Sequence, residues 1–576
     1  MTGTGRAGRT LLVLAAAAVG FAAADTYVVV LALPDMMTGV GLAIDELQRA
    51  APIVSGFLLG YVAILPLIGR IADLRGRLPV LVGSLVVFAL GSLVTAAAFD
   101  LETMVAGRFL QGVGGGGLVP ATLALVADLY PPQRRGVPLG VVGAVQELGS
   151  VVGPLYGALV LAVGTWHAIF ALNLVVGAVL AVAIRRLGPH RPLDRLGLVL
   201  ALLAAAALAL VMLQPPAIAR DVTWGLVFVP LAGDSRLLAP AGIVLLVVFA
   251  LLVARCVMAA SPLVDLRGWR RTAAEIDVPG ATLLALALSG VILAFATADP
   301  EVSVFSPAGP WLLLGSAVAA AGFVRRNRTS RHPLVPHGAL AERPAWGALV
   351  VSLFIGAALI AALVDIPIFA RITVHQDSQL MAALVLVRLL VALPVGALLG
   401  GFLLRRIPAG FVTAVGMAMA AVGFVWMAQW GLTSLAHWVA TVPLVAAGLG
   451  FGLALAPVNA ALLAATEDAV HGVASALLVV ARMVGMLVGI SALTTIGLRR
   501  YYAVQVDLPT PAEVCASGTQ CAEYTRLLKE AGLAQLQTVF WGAAVCAVIA
   551  GVVALLAFRG AATRALTPGE AVRGVA

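Results

Sequence analysis

A polytopic α-helical membrane protein is the fold class this sequence predicts, and three observations predict it. Of its 576 residues, 62% are hydrophobic and 11% charged, where soluble globular chains run near 45–50% and about 25%. The mean hydropathy is +1.07. The apolar residues gather into runs of about the 20 residues that cross a ~30 Å hydrocarbon core, enough for about 14 to 16 crossings. A water-soluble protein is excluded.

In chain order the runs fall at about 11–33, 50–69, 79–98, 103–127, 137–164 and 166–184. Four follow at about 195–213, 238–255, 279–298 and 310–324, the last being the shortest. The final six lie at about 345–365, 379–403, 408–428, 438–463, 472–497 and 537–558. Sixteen spans are therefore expected, with fourteen as the alternative. A net charge of +9 would suggest nucleic acid in a soluble chain. In a membrane chain, insertion itself enriches the cytoplasmic loops in arginine, so no nucleic-acid partner is expected. Arg185-Arg186, Arg270-Arg271, Arg325-Arg326 and Arg405-Arg406 all thread to the side of the N-terminus. Both termini are accordingly expected in the cytoplasm. Arg6 and Arg9 precede a run long enough to stay in the membrane rather than leave as a signal peptide. Lys529 is the one lysine, an arginine bias that, with so much alanine and glycine, fits a high-GC bacterial genome. The expected location is the bacterial inner membrane.

Three blocks and a tail organise the chain: six spans in 1–186, an insert of four in 187–344, six in 345–560, and a cytoplasmic tail at 561–576. The insert reads as one two-helix unit repeated. Asp194-Arg195-Leu196-Gly197 opens the first copy and Asp277-Val278-Pro279-Gly280 the second. Pro262-Leu263-Val264-Asp265 and Pro333-Leu334-Val335-Pro336 close them.

The loop after the second run reads Gly69-Arg70-Ile71-Ala72-Asp73-Leu74-Arg75-Gly76-Arg77. Glycine lets the chain reverse tightly between two helices. Asp73 can accept hydrogen bonds from a helix N-terminus or an arginine, which makes a latch at the membrane surface. This stretch resembles the loop signature of the major facilitator superfamily, and Gly69, Asp73, Gly76, Arg77 and Asp128 are the latch residues that the resemblance implies. Asp25-Thr26-Tyr27-Val28 through Leu33-Pro34 is similar to the first-helix motif of the fourteen-helix drug:proton antiporters. Arg108-Phe109-Leu110-Gln111-Gly112, followed by Gly114 to Gly117, resembles the fourth-helix motif. Gly149, Gly153, Pro154 and Gly157 resemble the fifth-helix motif of exporters. Glycines four residues apart form a smooth seam for a close helix contact, here expected between the two halves. Gly400-Gly401 through Arg405-Arg406 stands where a second loop copy belongs but lacks its aspartate. Leu363-Val364-Asp365, Leu393-Pro394-Val395-Gly396, Gln146-Glu147-Leu148-Gly149-Ser150 and Ala481-Arg482-Met483-Val484-Gly485-Met486 resemble the mycobacterial triacylglyceride exporters that work with a periplasmic lipoprotein. The implied fold is the major facilitator fold, two six-helix halves, with about four extra central helices.

Ionisable residues within a span cost about 2.5–3.5 kcal/mol each on insertion scales, so each needs a partner, water or a function. The sequence places Asp25, Glu147 and Asp365 against Arg108, Arg388 and Arg482, with Asp365 near a helix end. Asp25 and Arg108 sit about 13 and 9 Å from the outer ends of their spans at 1.5 Å per residue. Both helices line the cavity in the superfamily fold, so these two are expected to meet. Glu147 and Arg482 each sit roughly ten residues in from the cytoplasmic side, and Arg388 is the competing partner because helices 5 and 8 pack together in the fold that the resemblance implies. Asp25 or Glu147 is the expected proton carrier, because burial raises a carboxylate pKa and a nearby arginine lowers it again.

No phosphate-binding G-x-x-x-x-G-K-[ST] loop occurs, and no His/Cys/carboxylate cluster suggests catalysis or a metal. Of seven histidines, only His375, in an outer loop, is placed to tune a pH response. An enzyme is not expected, and protons are the only coupling species. The leading expectation is a monomeric proton-coupled exporter of amphipathic or lipidic substrates that passes them to a periplasmic lipoprotein acceptor. A general multidrug antiporter and a non-transporting lipid-binding scaffold are the alternatives. The segment 499–536 is far longer than the other outer turns of its half. Tyr524, Leu527, Leu528, Leu533 and Leu536 fall near helical spacing. A helical extension with an exposed apolar stripe is expected there, braced by a disulfide between Cys515 and Cys521 on the oxidising side.

Overall fold

A membrane interior offers no water to backbone amides, so a spanning chain satisfies them within its own helices. The computed structural model shows only helices and connecting turns among its described residues, which are 6–42, 47–188, 194–232, 235–259, 262–296, 308–374, 379–515, 521–561 and 563. His375 lies outside them, as does most of the tail. The first block forms α1 (Arg6–Gly39), α2 (Leu47–Arg75), α3 (Arg77–Ala96), α4 (Leu101–Leu129), α5 (Gly136–Val163) and α6 (Trp166–Leu187). The insert forms α7 (Arg195–Leu213), the short α8 (Pro216–Ala219), α9 (Pro240–Met258), the surface helix α10 (Leu266–Glu275), α11 (Val278–Ala296) and α12 (Gly309–Thr329). The last block forms α13 (Arg343–Ile372), α14 (Gln379–Leu403), α15 (Ala409–Met427), α16 (Thr441–Ala464), α17 (His471–Val506), the short α18 (Pro511–Val514) and α19 (Ala522–Ala557). Each of the sixteen apolar runs lies on one long helix. Fourteen of these are long and apolar enough to cross a membrane. The other two are α5, with 28 residues, and α12, with 21.

Local chemistry fixes the ends that matter for the site. Gly76 alone separates α2 from α3, and its φ of +89° is a left-handed conformation that favours glycine. Asp100 opens α4 with a capping box: its Oδ1 accepts from the Thr103 amide at 2.8 Å. The helices alternate in direction, so one end of the bundle collects Arg77, Arg185, Arg255, Arg326 and Arg405; this is the basic end. The Cys515–Cys521 disulfide marks the opposite end.

The two insert hairpins repeat one device. Asp194 caps the Gly197 amide at 3.0 Å and pairs with Arg255 of α9, also at 3.0 Å. Asp277 caps the Gly280 amide at 3.2 Å and pairs with Arg326 of α12 at 3.0 Å. Each aspartate thus ties the start of one helix to the end of its partner. Hydrogen bonds from Arg255 and the Gly197 amide hold the Asp194 carboxyl below its ordinary range. The α11–α12 hairpin leans on α2 and α17, with Ile276, Ala281 and the fully buried Leu334 against Leu67 and Ile71. The α7–α9 hairpin stands beside α3, and Arg236 lies 3.5 Å over the Phe99 ring.

Within the first half, α4 is the buried centre. Gly112 and Gly116 admit the backbone of α2, while Gly107 and Gly114 admit that of α3. The exporter-type glycines differ from expectation. A Cβ on Gly149 or Gly153 would strike the carbonyl oxygen of Gly20 or Ala24, and one on Gly157 would strike Val28. The seam therefore packs α5 on α1, inside one half rather than between halves. The ring of Pro154 falls outside the described side chains. The contact between halves uses other small residues: a Cβ on Gly136 or Gly140 would meet the Gly401 or Ala397 carbonyl at 2.7 and 2.6 Å.

The extension at the opposite end also differs in one respect. α17 and α19 have 36 residues each, about 54 Å at 1.5 Å per residue, well beyond a ~30 Å core. Leu533 and Leu536 are buried, however, and Tyr524, Leu527 and Leu528 half-buried. α19 packs on α17 and α13, so most of the expected stripe serves this packing rather than facing water. Cys256 and Cys546 are unpaired.

The alternation of the insert predicts its labelling pattern. A single cysteine at Asp221 should react with an impermeant thiol reagent applied to intact cells, while cysteines at Arg267 and Arg331 should be protected. Labelling at Arg267 from outside would refute the orientation of the two hairpins.

Candidate functional site

The basic end is closed by a latch between halves. Asp73, near the end of α2, accepts from the amides of Gly472 and Val473 at 2.8 and 3.1 Å. These are the first turn of α17, where amides lack partners within the helix and the dipole favours an anion. The carboxylate can reach them because Gly69 and Gly472 let the two backbones touch. Arg77 sits beside Asp73 at 3.0 Å and Asp128 at 3.3 Å, and it donates to the Asp468 carbonyl at 3.2 Å. Arg135 adds a second crossing through the Leu463 carbonyl at 3.3 Å. Burial pulls the Arg135 guanidinium down from its ordinary value, while Asp468 and Asp128 oppose that. The Gly69, Asp73, Gly76, Arg77 and Asp128 set thus comes together in one place.

A second cluster lies wholly in the first half. Arg108 Nη1 donates to Asp25 Oδ2 at 2.9 Å and to Gln111 Oε1 at 2.9 Å. The other Asp25 oxygen accepts from Asn173 Nδ2 of α6, and Tyr156 donates to Asn173 Oδ1 at 3.1 Å. Gln111 passes the chain on to Ser92 of α3 at 2.9 Å. Phe57 and Phe170 face the guanidinium at 4.5 and 5.8 Å. Asp25 and Arg108 are buried to 0% and 1% exposure, so the pair is paid for by every available donor and acceptor. Sequence reasoning missed Ser92, Tyr156 and Asn173, and named Gln111 only within the fourth-helix motif, not as a partner of Arg108. The usable signal was amide side chains inside apolar runs.

The third cluster crosses between halves. Arg482 of α17 stands 3.9 Å from Glu147 of α5. The pair borders a cavity lined by Val19, Ala22 and Thr26 of α1, Phe57, Leu58 and Tyr61 of α2, Leu359 of α13, and Met483 and Met486 of α17. Arg482 Nε has no hydrogen-bond partner among the described residues. Of the two candidate partners for Glu147, Arg388 is turned elsewhere: its Nη1 donates to Thr441 of α16 at 3.0 Å. The reason is register along α14, which aims position 388 at the start of α16 and not at α5. Asp365, expected near solvent at a helix end, is buried at 4% exposure, because α13 runs on to Ile372. No group of three or more His, Cys, Asp or Glu side chains suited to a metal occurs among the described residues.

A two-half helical bundle, latched at one end and hollow around an ion pair, defines a class of alternating-access carriers. The family profile of the Major Facilitator Superfamily matches residues 15–325, and the chain belongs to that superfamily. It is a membrane transporter, not an enzyme. A triacylglyceride transporter of Mycolicibacterium hassiacum is 36% identical over 530 residues, covering 89% of this chain and 84% of that protein. A triacylglyceride transporter of Mycobacterium tuberculosis is 35% identical over 520 residues, covering 87% and 85%. Among solved structures, the proton:xylose symporter XylE has a TM-score of 0.52 at 12% identity, covering 95% of this chain and 94% of that one. That likeness is one of fold.

Removing one member of a buried ion pair leaves an uncompensated charge, which costs about 3–5 kcal/mol. Arg108→Ala and Asp25→Asn should therefore each lower the thermal unfolding temperature of detergent-purified protein, since each leaves the partner's charge buried. Equal stability of both variants and the unaltered protein would show that the pair does not hold α1 to α4.

Proposed function

We propose that the protein is a proton-coupled exporter of lipidic, triacylglyceride-like substrates from the bacterial inner membrane, with both termini in the cytoplasm. The observation that carries this reading is the site between the halves, a cavity of about 70 Å³ in this closed state. Its walls are mostly apolar, with Thr26, Tyr61 and Gln146 among them, and one ion pair, Glu147–Arg482, joins α5 to α17. Apolar walls suit an acyl chain. The identity to relatives that are named triacylglyceride transporters supports the substrate class. Efflux, the coupling to protons, a monomeric state and hand-over to a periplasmic lipoprotein belong to the same proposal, and the raised α17–α19 extension is where an acceptor would dock.

Glu147 is the stronger candidate for coupling. Asp25 and Arg108 lie in one half, so their pairing cannot of itself hold the halves together. Glu147 and Arg482 lie in different halves and face the cavity. A proton on Glu147 discharges its side of the pair and releases one link across the interface. The Asp25 network then keeps α1, α4 and α6 moving as one body.

Reconstitution tests the reading. Vesicles loaded with labelled triacylglyceride should show flux that depends on an imposed pH gradient. Glu147→Gln should lose that dependence, and Asp25→Asn and Arg108→Ala should lose flux in protein that still purifies as a folded species. Gradient-driven movement of cationic drugs without lipid would favour the multidrug reading. Absence of flux for either class would leave a lipid-binding scaffold.

A further inference from the structure

A cavity with convergent charge lies outside the central site, at the basic end. It has a volume of 730 Å³ and is bordered by Arg9 of α1, Tyr130 and Arg134 of the α4–α5 turn, and Leu404 and Arg405 after α14. That size falls within the range of small-molecule sites. Arg9, Arg134 and Arg405 come from three separate elements and from both halves. None has a carboxylate partner among the described residues, and no acidic side chain borders the cavity. Some arginines of this end, Arg77, Arg135, Arg255 and Arg326, each face an aspartate, whereas Arg9, Arg134 and Arg405 are set apart by converging on one cavity. All three are exposed, so water and salt screen their repulsion, and an anion that bridges them would gain charge-assisted hydrogen bonds from each.

We propose that this cavity binds the anionic headgroup of a membrane phospholipid, and that the bound lipid clamps the basic end shut. Two observations favour a lipid over a free anion. The walls between the arginines are apolar, with Val137, Pro138 and Leu404, which suits the glycerol and upper acyl carbons below a phosphate. The seam α5–α14 beside it is also the one that the insert leaves uncovered, since α11 packs over the α2–α17 seam. Arginine is suited to the phosphate by its bidentate fork. Because Arg9 and Arg134 belong to one half and Arg405 to the other, the three meet only while Gly136 and Gly401 touch. A headgroup there favours the closed state by binding it selectively.

This site is independent of the cavity at Glu147, so its test does not depend on the transported substrate. The protein is placed in nanodiscs of phosphatidylcholine alone or phosphatidylcholine mixed with phosphatidylglycerol, and amide exchange is followed at the first turn of α5 and the last turn of α14. Phosphatidylglycerol should slow exchange at both turns. A basic residue near an anionic surface contributes about 1 kcal/mol, so the triple variant R9Q/R134Q/R405Q should weaken that response roughly a hundredfold in lipid concentration. The control R185Q/R186Q, at the same end on α6, should keep it. Inorganic phosphate added to phosphatidylcholine discs should not reproduce the effect. The proposal is overturned if both lipids give the same exchange, if the triple variant responds like the unaltered protein, if the control loses the response equally, or if inorganic phosphate suffices.

Discussion

The carboxylate of Asp73 on the first turn of α17 is the contact on which the rest of this structure depends. The two halves are separate helical bodies, and the Asp73–Gly472 bond at 2.8 Å is the shortest of the contacts by which a side chain of the first holds the backbone of the second, beside those of Arg77 and Arg135. Hydrogen bonds to a charged group contribute more than neutral ones, about 1.5–3 kcal/mol each. A latch of that size is strong enough to favour one conformation and weak enough to yield to a ligand or a proton. Its geometry needs bare backbone on both sides, which Gly69 and Gly472 supply.

Around that latch the charges divide by role according to which half they occupy. The Asp25–Arg108 network is saturated with donors, acceptors and aromatic faces and belongs to the first half alone. Its burial makes it a fastening. Glu147 and Arg482 are more loosely joined at 3.9 Å and belong to opposite halves, which suits a link made and broken in a cycle. The insert supports the same division. Its second hairpin covers the α2–α17 side, and α10 reaches the latch loop, with Arg75 bonded to Thr272 at 2.9 Å and stacked over Trp269 at 4.8 Å.

Features that depend on one segment were legible in the sequence. Each apolar run became a helix because the membrane permits no other open-chain solution, and the Gly69–Arg77 loop folds as its own residues dictate. The Asp25–Arg108 meeting followed from depth along two spans together with the helix neighbours that the family resemblance implies. Features that depend on which helices are neighbours were not legible. Gly149, Gly153 and Gly157 announce a close contact but do not say with which helix, and the partner is α1. Depth paired Glu147 with Arg482 and the packing of α5 on α14 offered Arg388, and the direction of the Arg388 side chain toward Thr441 decided between them. Leu533 and Leu536 showed a stripe, yet only packing against α17 and α13 shows that it is covered. Asn173 escaped notice because it carries no charge, and Gln111 was read as part of a motif and not as a partner of Arg108, although inside a membrane an amide needs partners too.

The proposed coupling requires that the charge on Glu147 help to hold the two halves together. Pulsed spin-label distances between Arg186→Cys on α6 and Arg559→Cys after α19 measure that separation directly as pH is varied. The account predicts a short distance at high pH that lengthens on acidification, and a long distance at every pH in Glu147→Gln. A short, pH-responsive distance in Glu147→Gln, matching that of the unaltered protein, would contradict it.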